Sequence, residues 1–342
     1  MKKRWRTILG FGISAFFLFI ALRGLDLKEV RYWLTQANYY WLIPSILIYF
    51  VGVWGRTWRW HYMLRPIKDI RVPRLFPIVC IGYMGNNIFP FRAGEVLRSY
   101  VLKRSEDVSM TASLATIVVE RVFDGLVMLM FVFIALPFVP VPDNLRLVVA
   151  IPSIIFMMAL VFFIILATQQ DTAVKLYRST LRRVLPARLV VKADGFVERF
   201  LDGLHFFRSK RDIPMVFLTS VFIWLAETAK YWFVMEAFTR QELGGGFPVP
   251  FIVLMLMNGI VNLATTLPSA PGYIGTFDTP GIEVLTAYGV NRSLATGYTL
   301  VLHAALWFPI TILGAWFFRR ERLSWSDVET ARAQRAQGAE AT

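Results

Sequence analysis

The sequence predicts an all-α polytopic membrane protein: six full spans plus two re-entrant hairpins, arranged as an inverted 4+4 repeat. Three observations lead there. The 342 residues are 56% hydrophobic with a mean hydropathy of +0.53, a composition suited to a multi-pass membrane chain. Apolar runs recur at about 7–22, 40–55, 75–91, 111–136, 145–168, 213–238, 250–268 and 293–318. The basic residues gather beside these runs in a way that only one threading reconciles.

The first run follows a basic head, MKKRWR, and lacks a small-x-small cleavage site before Arg23, so an uncleaved first helix is expected. Orientation follows from charge placement. The head carries four Lys and Arg, Arg56–Arg74 six, Arg92–Arg104 four, Lys175–Arg211 ten and the tail from Arg319 five. If all eight runs crossed, the segments 92–104 and 169–212 would face outside, against the positive-inside rule. If 75–91 and 250–268 instead enter and return on one side, every basic cluster and both termini face the cytoplasm. The first then dips from the cytoplasm and the second from outside. Repeat A covers 1–136 and repeat B 145–318, within one integral membrane domain in the cell inner (plasma) membrane. Two short matches recur at nearly equal spacing: Pro90-x-x-x-Gly94 as Pro271-x-x-x-Gly275, and Ser113-Leu-Ala-Thr116 as Ser293-Leu-Ala-Thr296, offset by 181 and 180 residues.

The remaining segments are polar. Residues 169–212 show Leu176, Leu181, Leu185, Phe196, Phe200, Leu204 and Phe207 at helical spacing among ten basics, which suits amphipathic helices on an anionic leaflet. Residues 319–342 form a cytoplasmic tail. Neither stretch carries the apolar content of a separate soluble domain. One cysteine, Cys80, rules out an internal disulfide, and His61, His205 and His303 show no ligand spacing, so neither a metal nor a cofactor is expected. The net charge of +14 is explained by membrane topology rather than by nucleic acid.

Candidate chemistry lies in the broken segments and in charged positions within apolar runs. In NNIFPFRAGEVLR, Pro90 interrupts the run, Gly94 allows close packing or an unusual turn, and Glu95 and Arg98 share a helix face at i, i+3. Arg92 would sit at a helix start, where free N–H groups already favour anions, and a guanidinium suits a phosphate bidentately. Arg92 and Arg98 equally suit interfacial anchoring with Glu95 as partner. In VVERVFDGL, Glu120 and Asp124 are i, i+4 with Arg121 one position round; ionisable groups at this depth are expensive and usually functional. Arg92, Arg98 and Lys230 are their candidate counter-ions. Glu227 and Lys230 form an i, i+3 pair that is either structural or cavity-lining. Asn87, Asn262, Gly272 and Asp278 complete the candidate binding set. His303 suits packing better than proton relay. No phosphate-cradling glycine loop, nucleophile elbow or metal motif is present, so the chain is expected to transport rather than catalyse.

These residues carry a family resemblance. The run from Asn86 to Leu126 resembles the lysylphosphatidylglycerol synthase transmembrane-domain family, the flippase-like integral membrane proteins. Pro90, Arg92, Gly94, Glu95 and Arg98 match its Pro-x-Arg-x-Gly-Glu-x-x-Arg stretch; Glu120, Arg121 and Asp124 match its Glu-Arg-x-x-Asp helix. Pro268, Pro271, Gly272 and Gly275 meet the second signature, which departs at Tyr273, where Gly is usual, and at Asp278, where Glu is usual. The resemblance implies lipid handling, a membrane phospholipid or lipid-linked substrate as partner, and no lysyl transfer, because the soluble transfer domain is not in this chain. A surface-acting enzyme or a non-transporting partner in lipid or envelope biosynthesis remains the alternative, and self-association into a homo-oligomer stays open.

Overall fold

The computed structural model describes residues 25–89, 92–135, 137–138, 212–239, 246–265, 270–324 and 327, with a few isolated positions before 25 and between 154 and 161. The expected spans at 7–22 and 145–168, the amphipathic segment 169–212, most of the tail, and Pro90 and Pro268 lie outside the described residues. Among those described, every regular element is helical. In chain order they are α1 (Leu27–Gln36), a 3-10 turn (Tyr39–Trp41), α2 (Leu42–Leu64), α3 (Val72–Ile88), α4 (Ala93–Glu106) and α5 (Met110–Ala135). There follow α6 (Asp212–Glu236), α7 (Phe251–Ala264), a 3-10 turn (Pro271–Tyr273), α8 (Asp278–Ala287) and α9 (Arg292–Arg320).

Helix α1 begins at Asp26, whose carboxylate accepts from the backbone N–H groups of Lys28 and Glu29, and it buries Val30 and Trp33 one turn apart. It meets the following Tyr39–Leu64 stretch at 72°. Helices α6 and α9 are each long and apolar enough to cross a membrane, and the bent α1–α2 pair adds a third candidate. Helix α5 has 26 residues and would reach about 39 Å; its three internal charges set it apart from the others.

Helices α2 and α6 pack along each other and run antiparallel. At one end Asn38 N–H donates to Ala237 O at 2.8 Å; at the other, Arg65 stands 3.6 Å from Asp212. Around this pair the contacts are reciprocal. Helix α3 lies against α9 and α7 against α5; α4 lies beside α5 and α8 beside α9; α2 touches α3 as α6 touches α7. Just beyond α9, the Asp327 carboxylate is held down to about 2, first by the Ser324 backbone N–H and then by the Ser324 hydroxyl, Tyr100 and Arg104. These last two tie the segment to α4.

At both segments where a re-entrant hairpin was expected, 75–91 and 250–268, the structure shows a helical hairpin whose second arm lies beyond the apolar run. In the first, α3 and α4 run antiparallel: Gly85 faces Gly94, Gly82 faces Arg98, and Lys68 and Arg74 reach Glu106 at the base, 3.0 and 2.6 Å away. The returning arm is therefore α4, and Arg92 and Arg98 belong to the hairpin rather than to a loop beyond it. A Cβ at Gly94 would stand 1.9 Å from Gly82 O, so only glycine lets these two helices touch. In the second, α7 and α8 run antiparallel, with Met257 against Gly281 and Gly246 against Gly289 at the base.

A further boundary shifts in α2. The apolar run was expected to stop at residue 55, with Arg56 and Arg59 among the cytoplasmic basics; the helix instead continues to Leu64 and buries both arginines. Paired charges cost a helix interior far less than isolated ones, and both have partners across the helix interface.

Candidate functional site

The tips of the two hairpins meet. A Cβ at Gly272 would stand 3.4 Å from Asn87 O, Arg92 donates to Thr265 O at 3.1 Å, and the Arg92 guanidinium lies 5.8 Å from the centre of the Tyr273 ring. Arg92 (φ 51°) and Tyr273 (φ 62°) both adopt the left-handed conformation that non-glycine residues rarely take, and they are 181 residues apart. That is the spacing of the Pro-x-x-x-Gly match, and the two left-handed residues lie at tips that touch.

Behind the tips lies a cavity of about 140 Å³, room for several waters or a headgroup fragment. One side presents Arg56, Arg92, Arg121 and Tyr83; the other presents Asn262, Tyr273, His303 and Trp307. Tyr49 and Tyr231 also line it, and they come from two different apolar cores, so the polar space borders both packed clusters.

The charges beside the cavity form one network. Glu120 is fully buried and receives Arg98 at 2.7 Å, Arg59 at 3.1 Å and Arg121 at 3.4 Å. Asp124, 1% exposed, is met by Arg59 at 2.5 Å, by Arg121 at 3.5 Å and by the Trp224 indole N–H at 2.9 Å. Arg59 also donates to the Ser220 hydroxyl. Glu227 pairs with Lys230 on its own helix and with Arg56 at 2.8 Å. Glu95 stands 3.7 Å from Arg92 and 3.5 Å from Arg121.

Several counter-ion expectations are corrected by this geometry. Arg98 does serve Glu120; Lys230 and Arg92 do not reach the Glu120–Asp124 face and instead form the Glu227–Lys230 and Glu95–Arg92 pairs that the spacing also offered. The main counter-ion of the Glu120–Asp124 face is Arg59, with Arg56 in the same role at Glu227; neither was among the candidates. Arg59 and Arg56 are three apart on one helix, a signal that was present but was hidden when the apolar run was ended at the first charge. Glu95 and Arg98 share a helix yet turn to different partners.

The uncharged candidates take supporting positions. Asn87 donates to the Thr311 hydroxyl at 2.8 Å and to Trp307 O at 3.3 Å, on the α9 turn around Pro309. Asn262 donates to the carbonyl and side-chain oxygens of Asn258. Asp278 accepts from the Gly275 N–H at 2.9 Å and faces His303 Nδ1 at 2.7 Å; His303 Nε2 faces Gly272 O at 2.7 Å. Both ring nitrogens face acceptors, so His303 clamps the second tip to α9. Its role is more specific than general packing. Gly272 has φ 69° and lies 2.8 Å, measured from a Cβ built on it, from the Trp307 indole nitrogen.

A membrane protein built around paired interrupted helices and a buried charge network is the class these observations define. The chain belongs to the lysylphosphatidylglycerol synthase TM region family, whose profile matches residues 7–314. It is 26% identical over 318 residues to a UPF0104 membrane protein of Methanocaldococcus jannaschii, covering 87% of this chain and 90% of that one. A UPF0104 membrane protein of Pyrococcus horikoshii is 23% identical, with coverages of 92% and 96%. Glycosyltransferase AglD of Haloferax volcanii is 24% identical over 92% of this chain and 54% of its own length.

Proposed function

We propose that this chain is a translocase for an anionic phospholipid or lipid-linked headgroup in the cell membrane. The observation that carries the reading is the cavity where two hairpin tips meet, with the Arg92 and Arg121 side chains still 24% and 35% exposed beside buried carboxylates. Interrupted helices that bring polar groups together in corresponding halves of a membrane chain mark transport sites. Guanidinium groups offer a phosphate charge-assisted, bidentate hydrogen bonds.

The proposed framework is six full spans and two re-entrant hairpins in an inverted 4+4 repeat, both termini cytoplasmic. Four spans correspond to α2, α5, α6 and α9; the other two are the runs at 7–22 and 145–168. Support comes from the reciprocal helix contacts around α2 and α6 and from the matched left-handed residues at the two tips. The hairpin arms have 17, 14, 14 and 10 residues, about 15–26 Å, less than the roughly 30 Å hydrocarbon thickness. The glycosyl-transfer activity in the AglD name is that relative's, and the match covers only 54% of it.

The test is direct. Proteoliposomes carrying fluorescent phosphatidic acid or phosphatidylglycerol should exchange at least one of the two between leaflets faster than empty liposomes. Arg92→Gln should slow the exchange at least about tenfold, one lost charge-assisted contact. Wild-type exchange no faster than in empty liposomes would overturn the reading.

A further inference from the structure

We infer that the cavity selects a phosphoryl group bearing two negative charges, a phosphate monoester dianion, over the singly charged diester of common phospholipids. The inference rests on the transport-site reading above and names its substrate chemistry. It starts from a charge balance. On the α2–α6 side, Arg56 and Lys230 face one carboxylate, Glu227. Lys230 Nζ also sits over the rings of Tyr49 and Tyr231, at 5.0 and 5.2 Å, an environment that suits an ammonium.

On the α4–α5 side, Arg59, Arg92, Arg98 and Arg121 face three carboxylates: Glu95, Glu120 and Asp124. The two groups join through Trp224, which donates to Asp124 and carries the Arg56 guanidinium over its ring at 5.2 Å. The Asp278–His303 pair adds nothing, since either the ion pair or a neutral acid with a neutral imidazole satisfies both ring nitrogens without net charge. Among the described residues, the network therefore carries an excess of two positive charges.

At this burial an uncompensated charge is costly, and a pair of them is costlier. The excess is also accessible. Arg92 and Arg121 keep open surface in the cavity, whereas Arg59 is sealed away and Arg98 is almost so. Next to them, the buried Tyr83 hydroxyl has no hydrogen-bond partner, and Arg56 stands 5.8 Å from its ring. An oxygen-rich dianion supplies an acceptor for that O–H and two charges for the excess cations. A zwitterionic headgroup supplies no net charge, and a phosphodiester supplies half of what is needed.

The source is either a lipid with a terminal phosphate or a free phosphate ion, and binding to the purified full chain in nanodiscs separates them. The probes are phosphatidic acid, phosphatidylglycerol and phosphatidylcholine, with inorganic phosphate as competitor. At pH 8, phosphatidic acid should bind at least about tenfold more tightly than phosphatidylglycerol. The second proton of a phosphate monoester titrates near pH 6, so at pH 5.5 this preference should shrink towards parity. In Arg121→Gln, which removes one excess cation from a partly exposed position, the preference should fall at pH 8 as well.

Competition by millimolar inorganic phosphate would assign a free ion; no competition would assign the lipid. Equal binding of phosphatidic acid and phosphatidylglycerol at pH 8 overturns the two-charge inference while leaving the translocase reading in place. Failure of all three lipids, and of inorganic phosphate titrated alone, to bind overturns both.

Discussion

Arg59 bridges Glu120 and Asp124 with no exposed surface, so every hydrogen bond it loses must be replaced from within the protein. Replacing it with Met would keep much of the volume but remove the counter-ion shared by two buried carboxylates. Breaking one side of such a pair typically costs about 3–5 kcal/mol. Arg59→Met should therefore lower the thermal midpoint sharply, whereas Arg121→Gln, at the cavity edge, should leave it nearly unchanged. Equal midpoints for the two variants would contradict the division between a sealed and an accessible cation. At this scale the carboxylates were legible in the sequence, because i, i+4 spacing inside an apolar run leaves few other readings. Their principal partner was not. Nothing local separates a buried arginine at the end of an apolar run from an anchoring one; the difference lies in α5 and α6, distant in sequence.

The two hairpins depend on helices approaching closely enough for backbone to meet backbone. Gly94 is the tightest point, with a would-be Cβ 1.9 Å from Gly82 O and 2.5 Å from the Asn86 N. Neither neighbour is a flexible side-chain end that can yield. Gly94→Ala should push α3 from α4 and cost about 3 kcal/mol, at the upper end of ordinary overpacking penalties. A purified Gly94→Ala protein melting within a degree or two of wild type would show that the arms do not need this contact. The interruption of both runs was visible in the prolines and asparagines, and α5, α6 and α9 fall within a few residues of the expected runs. The extent of the hairpins was hidden, because α4 is polar: its Glu95, Arg98, Lys103 and Arg104 resemble a cytoplasmic loop when hydropathy alone is counted. A short arm shielded by protein does not need an apolar outer face.

Across the molecule, reciprocal contacts around α2 and α6 relate a half rich in ions to a half that is largely apolar. Arg92 and Tyr273, 181 residues apart, share a left-handed conformation but not a charge. The charge pattern that suggested opposite orientations for the two halves makes a definite topological prediction. In a Cys80→Ser background, a cysteine at exposed Lys28 should react with an impermeant reagent added outside intact cells. One at exposed Ser105 should react only after the membrane is opened. Outside labelling at Ser105 would rule out the inverted arrangement. At this scale the all-helical, membrane-suited character was legible in the composition and the apolar runs, and the threading inferred from Lys and Arg placement is what this labelling decides.

The Arg92 side chain spans the seam between the tips, donating to Thr265 O while facing the cavity. If an anion took the Arg92 N–H that now reaches Thr265 O, binding and the seam contact would compete for one donor, and linkage would make the competition reciprocal: whatever factor the contact removed from anion affinity, a bound anion would remove from the stability of the contact.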